Sequence, residues 1–181
     1  VTDVSEVPVF TSSATFSAAE NQTAIGTVTA IDSDGDSITY SISGSDITIN
    51  SSTGVIVFAS APDHETKSSY TATVTASDGT DTSTQAITVN VSDVNEAPVI
   101  TSSATFSVQE NQTSGIGSVT ATDADGDSVT FTISGSELEI TSAGVLSFAS
   151  APDYETKSSY TATVTASDGT NTTTQSITVN V

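Results

Sequence analysis

Residues 61–80 read APDHETKSSYTATVTASDGT and residues 151–170 read APDYETKSSYTATVTASDGT, with His64 to Tyr154 the single change across an offset of 90. Inside this word Tyr70, Ala72, Val74 and Ala76 alternate with Thr71, Thr73 and Thr75, the period-two pattern of a strand with one buried and one wet face. Asp78 and Gly79 then supply a turn signal before a second alternating run, Ile87, Val89 and Val91.

The same offset carries Pro8 to Pro98, Glu20 to Glu110 and Gly54 to Gly144, whereas Asp32 to Asp123 is displaced by 91. The second copy gains Gly115 and then loses a residue between Ser51 and Ala143, and compensated changes of this kind belong to loops between rigid elements. The repeat predicts two homologous domains, residues 1–92 and 99–181, joined by a linker at 93–98 reading DVNEAP. Residues 1–9, VTDVSEVPV, resemble that seam, so 1–7 are expected to be the remnant of an upstream linker. The chain stops at Val181, where the next seam would begin, and is expected to be an excised pair from a tandem array.

Ile38, Tyr40 and Ile42 alternate as well, Gly54 and Gly144 mark hairpin turns, and nothing reads as a helix. Short strands rich in Thr, Val and Ile and spaced by turns predict an all-β protein: two tandem antiparallel Greek-key β-sandwiches of about seven strands each. Pattern alone leaves a small barrel open.

Twenty-two acidic residues stand against two lysines, no arginine and one histidine, for a net charge of −20. Phosphate binding needs clustered Lys and Arg, so nucleic acid is excluded as a partner and an anionic membrane surface is disfavoured. No apolar run approaches membrane-spanning length, so direct membrane insertion is not expected. Without cysteine there is no disulfide framework and no thiolate chemistry. One histidine and no cysteine leave few nucleophile or base constellations, and carboxylates without a cleft do not make a glycosidase; an enzyme is not expected.

The acids gather at Glu20, at Asp32, Asp34 and Asp36, at Asp63 and Glu65, and at Asp78, and the second copy repeats every position. All fall at predicted strand ends or turns, where loops converge at a pole of a sandwich. Oxygen ligands in such number suit Ca²⁺, which accepts six to eight, whereas zinc would want His or Cys. DSDGD at 32–36 is not an EF-hand, because position twelve from Asp32 is Ser43 rather than Glu. Taken singly, an Asp-rich turn with Gly is more often merely solvated.

Glu20 and Glu110 before NQT, DSDGD and DADGD, PDHE and PDYE, ASDGT twice, and DVNEAP stand in the order found in cadherins, and together they cover essentially the whole chain. The sequence resembles the cadherin family, and the Glu in its linker resembles bacterial cadherin-like repeats. This resemblance implies calcium between successive domains, held at the interior seam by Glu20, Asp63 and Glu65, by Asp93, Asn95 and Glu96 of the linker, and by Asp123, Asp125 and Asp168. It further implies an incomplete upstream site of Asp3, Glu6, Asp32, Asp34 and Asp78, with Ser5 in the place of the linker Asn, and an incomplete downstream site of Glu110, Asp153 and Glu155. The family's second linker Asn is missing here, and a glycine follows the Asp-x-Asp pair. Asp36 and Asp127 have no family counterpart and read as turn residues. His64, opposite Tyr154, reads as packed or exposed, and Lys67 and Lys157 are expected to pair with neighbouring acids.

The function implied is a calcium-stiffened adhesion module of an extracellular or cell-surface protein, with neighbouring repeats and a homophilic protein or an extracellular polysaccharide as expected partners. A carbohydrate-binding module is the alternative; the absence of Trp and the few aromatics for stacking on sugars weigh against it.

Overall fold

The computed structural model describes residues 5–181, and among these there is no helix. The chain divides into two compact units, residues 1–94 and 95–181. Unit 1 holds β1 (Val9–Phe10), β2 (Thr15–Ala19), β3 (Ala24–Thr27), β4 (Ala30–Ile31), β5 (Thr39–Ile42), β6 (Ile47–Ile49), β7 (Val55–Phe58), β8 (Ser69–Ser77) and β9 (Thr82–Ser92). In unit 2 the corresponding strands are β10 (Val99–Ile100), β11 (Thr105–Ser107), β12 (Gly117–Ser118), β13 (Ala121–Thr122), β14 (Thr130–Ile133), β15 (Leu138–Ile140), β16 (Val145–Phe148), β17 (Ser159–Ser167) and β18 (Thr172–Asn180). β1 pairs with β4, and β10 with β13, in separate two-stranded antiparallel ladders, which leaves seven strands in the two main sheets of each unit.

In unit 1 a four-stranded sheet, ordered β2-β9-β8-β5, faces a three-stranded one, β3-β7-β6, and unit 2 repeats this as β11-β18-β17-β14 and β12-β16-β15. Pairing is antiparallel except that β2 runs parallel to β9 and β11 parallel to β18. The inward-facing set is the one alternation selects: Val74, Ile87 and Val89 are at most 1 % exposed and pack with Ile47, Ile56 and Phe58 from the opposite sheet and with Val28 just after β3. Burying each such side chain contributes about 1.5–3 kcal/mol, so the threonines between them can be left in water. Phe58 and Tyr70 close the edge of this core as an edge-to-face pair 5.0 Å apart, matched in unit 2 by Phe148 and Tyr160 at 4.9 Å.

Gly54 turns the β6–β7 hairpin with φ +68°, and a Cβ there would stand 2.1 Å from the Val28 carbonyl oxygen. Only glycine fits such an approach. Gly144 stands in the same relation to the Val119 carbonyl, so the hairpin is fixed identically in both units. The long strand pairs β8/β9 and β17/β18 end at the poles where the acidic loops lie, and their rigidity positions those loops.

Candidate metal centres at the poles of the units

Glu20 follows the last residue of β2 and is 3 % exposed. Its two oxygens accept backbone N–H groups from opposite directions, His64 N at 2.8 Å and Val94 N at 2.8 Å. A buried carboxylate is tolerable only when it is paired in this way, and here it ties the end of the chain segment after β9 to the 63–66 turn. Asp63 shapes that turn, accepting Thr66 N at 2.9 Å and the Thr66 hydroxyl at 3.0 Å. Oxygens of Glu20, Asp63 and Glu65 come within 4.8 Å of one another, and a ligand atom of Asp93 joins Glu65 and His64 at the same spacing. Two oxygens on opposite sides of one calcium ion stand up to about 5 Å apart, so the cluster matches its reach.

His64, read as packed or exposed, lies between the two. It is half-buried, and its Nδ1 lies 3.1 Å from Glu65 Oε1. The hydrogen bond to Glu65 is the main reason its pKa is raised, opposed by partial burial and helped by the negative charges of Asp93, Glu65 and Glu20.

Unit 2 presents the linker acids with its own loops. Asn95 Nδ2 donates to Asp168 Oδ2 at 3.0 Å, and Glu96 N donates to Asp125 Oδ2 at 2.9 Å. The bond from Asn95, reinforced by the backbone N–H groups of Asn171 and Thr170, holds the Asp168 carboxyl below the usual range. Asn171 was not singled out by sequence reasoning, yet its Nδ2 donates to the Asn95 carbonyl at 2.9 Å. The available signal was its replacement of Asp81 within an otherwise repeated turn, since only the amide can donate.

At the other pole of unit 1, Glu6 N donates to Asp34 Oδ2 at 3.3 Å, as Glu96 does to Asp125. Ligand oxygens of Asp32, Asp34 and Asp36 cluster within 4.8 Å, so Asp36, read as a turn residue, stands with its neighbours. Asp78 accepts Asp81 N and Thr80 N, which lower its pKa. Asp3 lies outside the described residues. At the far pole of unit 2, Glu110, Asp153 and Glu155 cluster within 4.8 Å, and the Thr156 hydroxyl is the main cause of a lowered Asp153 pKa. Lys67 and Lys157 pair not with the adjacent D-x-E acids but with Asp46 at 2.8 Å and Glu137 at 2.7 Å, each lying over a tyrosine ring.

One division of labour recurs among these aspartates. Asp32 Oδ1 accepts Asp34 N and Asp36 N, Asp78 Oδ1 accepts Thr80 N and Asp81 N, and Asp123 Oδ1 accepts Asp127 N. Oδ2 of all three is buried with no hydrogen-bond partner, as is Oδ1 of Asp125. A bare buried carboxylate oxygen is costly, and a hard cation is the ligand that suits it. The donor set is oxygen-rich and nearly free of imidazole and thiolate, which fits calcium and not zinc.

Residues 14–92 match the family described as Cadherin domain, and residues 95–180 match the Bacterial Ig domain family. Mouse Protocadherin Fat 4 is 37 % identical over 132 residues, covering 65 % of this chain and 3 % of that protein. Human Protocadherin-15 is 38 % identical over 106 residues, 53 % of this chain and 5 % of that protein. The chain thus spans only a few hundredths of the length of these relatives. Among solved structures, human Protocadherin-24 EC1-2 superposes with a TM-score of 0.71 at 23 % identity, covering 99 % of this chain and 98 % of that one. Drosophila N-cadherin EC1-4 gives 0.65 at 19 % identity, covering 97 % and 49 %. Fold, motif order and relatives agree: residues 14–92 belong to the cadherin family, residues 95–180 match the bacterial Ig model, and the tandem pair has the fold of successive cadherin repeats.

Proposed function

We propose that this pair is a calcium-dependent structural module of a longer extracellular or cell-surface protein, and that calcium bound at the interior seam stiffens the pair for adhesion. The bare buried oxygens of Asp123 and Asp125, beside a seam already rich in carboxylates, carry the reading. Asp93 and Glu96 are three residues apart, so even a fully extended linker holds them within about 11 Å. To that seam the reading assigns the ligand groups of Glu20, Asp63, Glu65 and Asp93 in unit 1 and of Asn95, Glu96, Asp123, Asp125 and Asp168 in unit 2. Eight of these nine are carboxylates, and their mutual repulsion makes divalent ions the natural counterions. When bound, calcium supplies directional bonds that two units can share. The protein's own part is to hold the oxygens in place, through Glu20 on His64 and Val94, and through Asn95 and Asn171 around Asp168.

Extracellular calcium modules bind at about 10⁻⁴–10⁻³ M, so such a joint is rigid only where calcium is plentiful. Neighbouring repeats are the first partners, with protein adhesion, homophilic or otherwise, as the purpose of the array. Small-angle scattering tests the reading: calcium should give a narrow distance distribution and chelator a broader one. Added monovalent salt should not restore the narrow form, since screening supplies no directional bond. Identical profiles in calcium and chelator refute the clamp.

A further inference from the structure

The linker DVNEAP is where a chain of two units would be expected to bend along its length, yet hydrogen bonds claim it from both ends. Unit 1 holds the start. Ala19 pairs with Ser92 at the end of the β2/β9 ladder, Glu20 N donates to the Ser92 carbonyl at 3.1 Å, and Val94 N donates to Glu20 Oε1 at 2.8 Å. Glu20 is a fixed anchor, because it is buried and also accepts His64 N. Unit 2 holds the rest. Asn95 Nδ2 donates to Asp168 Oδ2 at 3.0 Å and to the Glu96 carbonyl at 2.9 Å, the Asn95 carbonyl accepts Asn171 Nδ2 at 2.9 Å, and Glu96 N donates to Asp125 Oδ2 at 2.9 Å. Pro98 is fully buried, and its ring fixes its own φ and confines Ala97 to extended backbone. Unit 1 grips its own preceding residues in a similar way, with Glu6 N on Asp34 Oδ2 at 3.3 Å and Pro8 fully buried, so this attachment is intrinsic to the unit.

Unit 1 ends at Val94 and unit 2 begins at Asn95. Among the described residues no hydrogen bond engages the Val94 carbonyl or the Asn95 N–H. We propose that the joint turns at this one peptide, its freedom confined to the N–Cα and Cα–C bonds of Val94 and the N–Cα bond of Asn95. Everything up to Val94 N then moves with unit 1, and everything from the Asn95 side chain onward moves with unit 2. The peptide itself is planar and adds no rotation. A β-branched residue is strongly disfavoured at positive φ, so Val94 closes that part of the range. Asn171 is a positioning residue here: without its amide the Asn95 carbonyl comes loose and rotation spreads to the Asn95 Cα–C bond. The pivot deepens the joint of the proposed function and rests on that reading only for what calcium does, which is to stop rotation about these bonds.

Residual dipolar couplings of the isotope-labelled 181-residue chain in chelator test the proposal, since each unit then reports its own alignment. The Val94 N–H coupling should fit the alignment of unit 1 and the Glu96 coupling that of unit 2, with amide exchange slow at both and fast at Asn95. Asn171→Asp removes the donor but keeps the fold, because Asp81 stands at the same place in the same turn of unit 1; it should speed exchange at Glu96 roughly fivefold. Val94→Gly opens positive φ and should broaden the distances seen by small-angle scattering in chelator, whereas Val94→Ile should match the unaltered chain. One alignment shared by both units in chelator, couplings at Val94 and Glu96 averaged towards zero, or identical scattering from Val94→Gly and Val94→Ile would overturn the pivot. None of these measurements contains calcium, so calorimetric titration of the ion on the same samples judges the calcium reading separately.

Discussion

Replacing Glu20 by Ala, with Glu110→Ala as an internal control, separates what a carboxylate does for the fold from what it does for a cation. Glu20 is buried and accepts two backbone N–H groups at 2.8 Å, whereas Glu110 is exposed and accepts one at 3.2 Å. A hydrogen bond to a charged group contributes about 1.5–3 kcal/mol, and more is lost when the donor stays buried. His64 is half-buried and Val94 exposed, so water can reclaim the Val94 donor more readily than the His64 one. The expected cost is about 2–4 kcal/mol for Glu20→Ala and below about 1 kcal/mol for Glu110→Ala. For a domain of this size that is a fall in Tm of roughly 10–20 °C against under about 5 °C. Both are measured by scanning calorimetry in chelator, so that no ion contributes. High monovalent salt damps the relief of repulsion with Asp63 and Glu65 that acts in the opposite direction. Glu20→Gln, which keeps one acceptor oxygen, should fall between. Equal shifts for the Glu20 and Glu110 variants would show that the two bonds to Glu20 hold nothing, and the argument for a preformed pole in unit 1 would fail.

Calcium at a hundredfold excess over its Kd should stabilise the chain by about 2.7 kcal/mol, seen as a rise in Tm that chelator reverses; a curve indifferent to both removes calcium from the account. Asp123→Asn should leave stability in chelator nearly unchanged, because an amide oxygen can still accept Asp127 N, yet weaken calcium binding in calorimetric titration as much as Asp123→Ala. Glu96→Ala should weaken the interior site more than Asp36→Ala, since only Glu96 stands at the seam, and equal losses count against that assignment. Asp168 has a folded pKa below its ordinary 3.8, so its contribution is fully present above about pH 4 and is lost as pH falls through the depressed value; its carboxyl carbon resonance should titrate below that ordinary value, and the Asn95→Ala variant should move it upward.

Much of the fold was legible because the strands are long, alternate strictly and occur twice: Val74, Ile87 and Val89 could be assigned to the core from period alone. The parallel pairing of β2 with β9 was not, since partner choice between strands some seventy residues apart leaves no local mark. At the sites, residue types and spacing pointed to oxygen ligands, and resemblance arranged them. What sequence could not separate was Glu20 from Glu110, which sit in nearly the same local context, xENQT. Glu20 is buried where residues 92–94 return over it, a long-range contact that leaves no local mark. The neighbours of His64 were not legible for a related reason: its counterpart Tyr154 says nothing about Asp93, which arrives from 29 positions along the chain.

On the proposed calcium reading, the arrangement of the aspartates makes the sites both weak and well defined. In Asp32, Asp78 and Asp123 one oxygen is spent on the backbone of its own loop, which fixes the loop without metal, and the other is left bare. Fixing the loop removes most of the ordering entropy that an ion would otherwise have to overcome on binding. The bare oxygens and neighbouring carboxylates then set an unfavourable electrostatic state that only a cation relieves. On the proposed calcium reading, preorganisation favours binding while the charge makes the unbound seam unstable, so the calcium concentration around the protein, and not rearrangement of either sandwich, would set the balance between a stiff and a loose joint. A unit whose core is complete in itself, with Val74, Ile87 and Val89 sealed between its sheets, can endure that repulsion at its ends without unfolding, which is what a repeat that must survive both states requires.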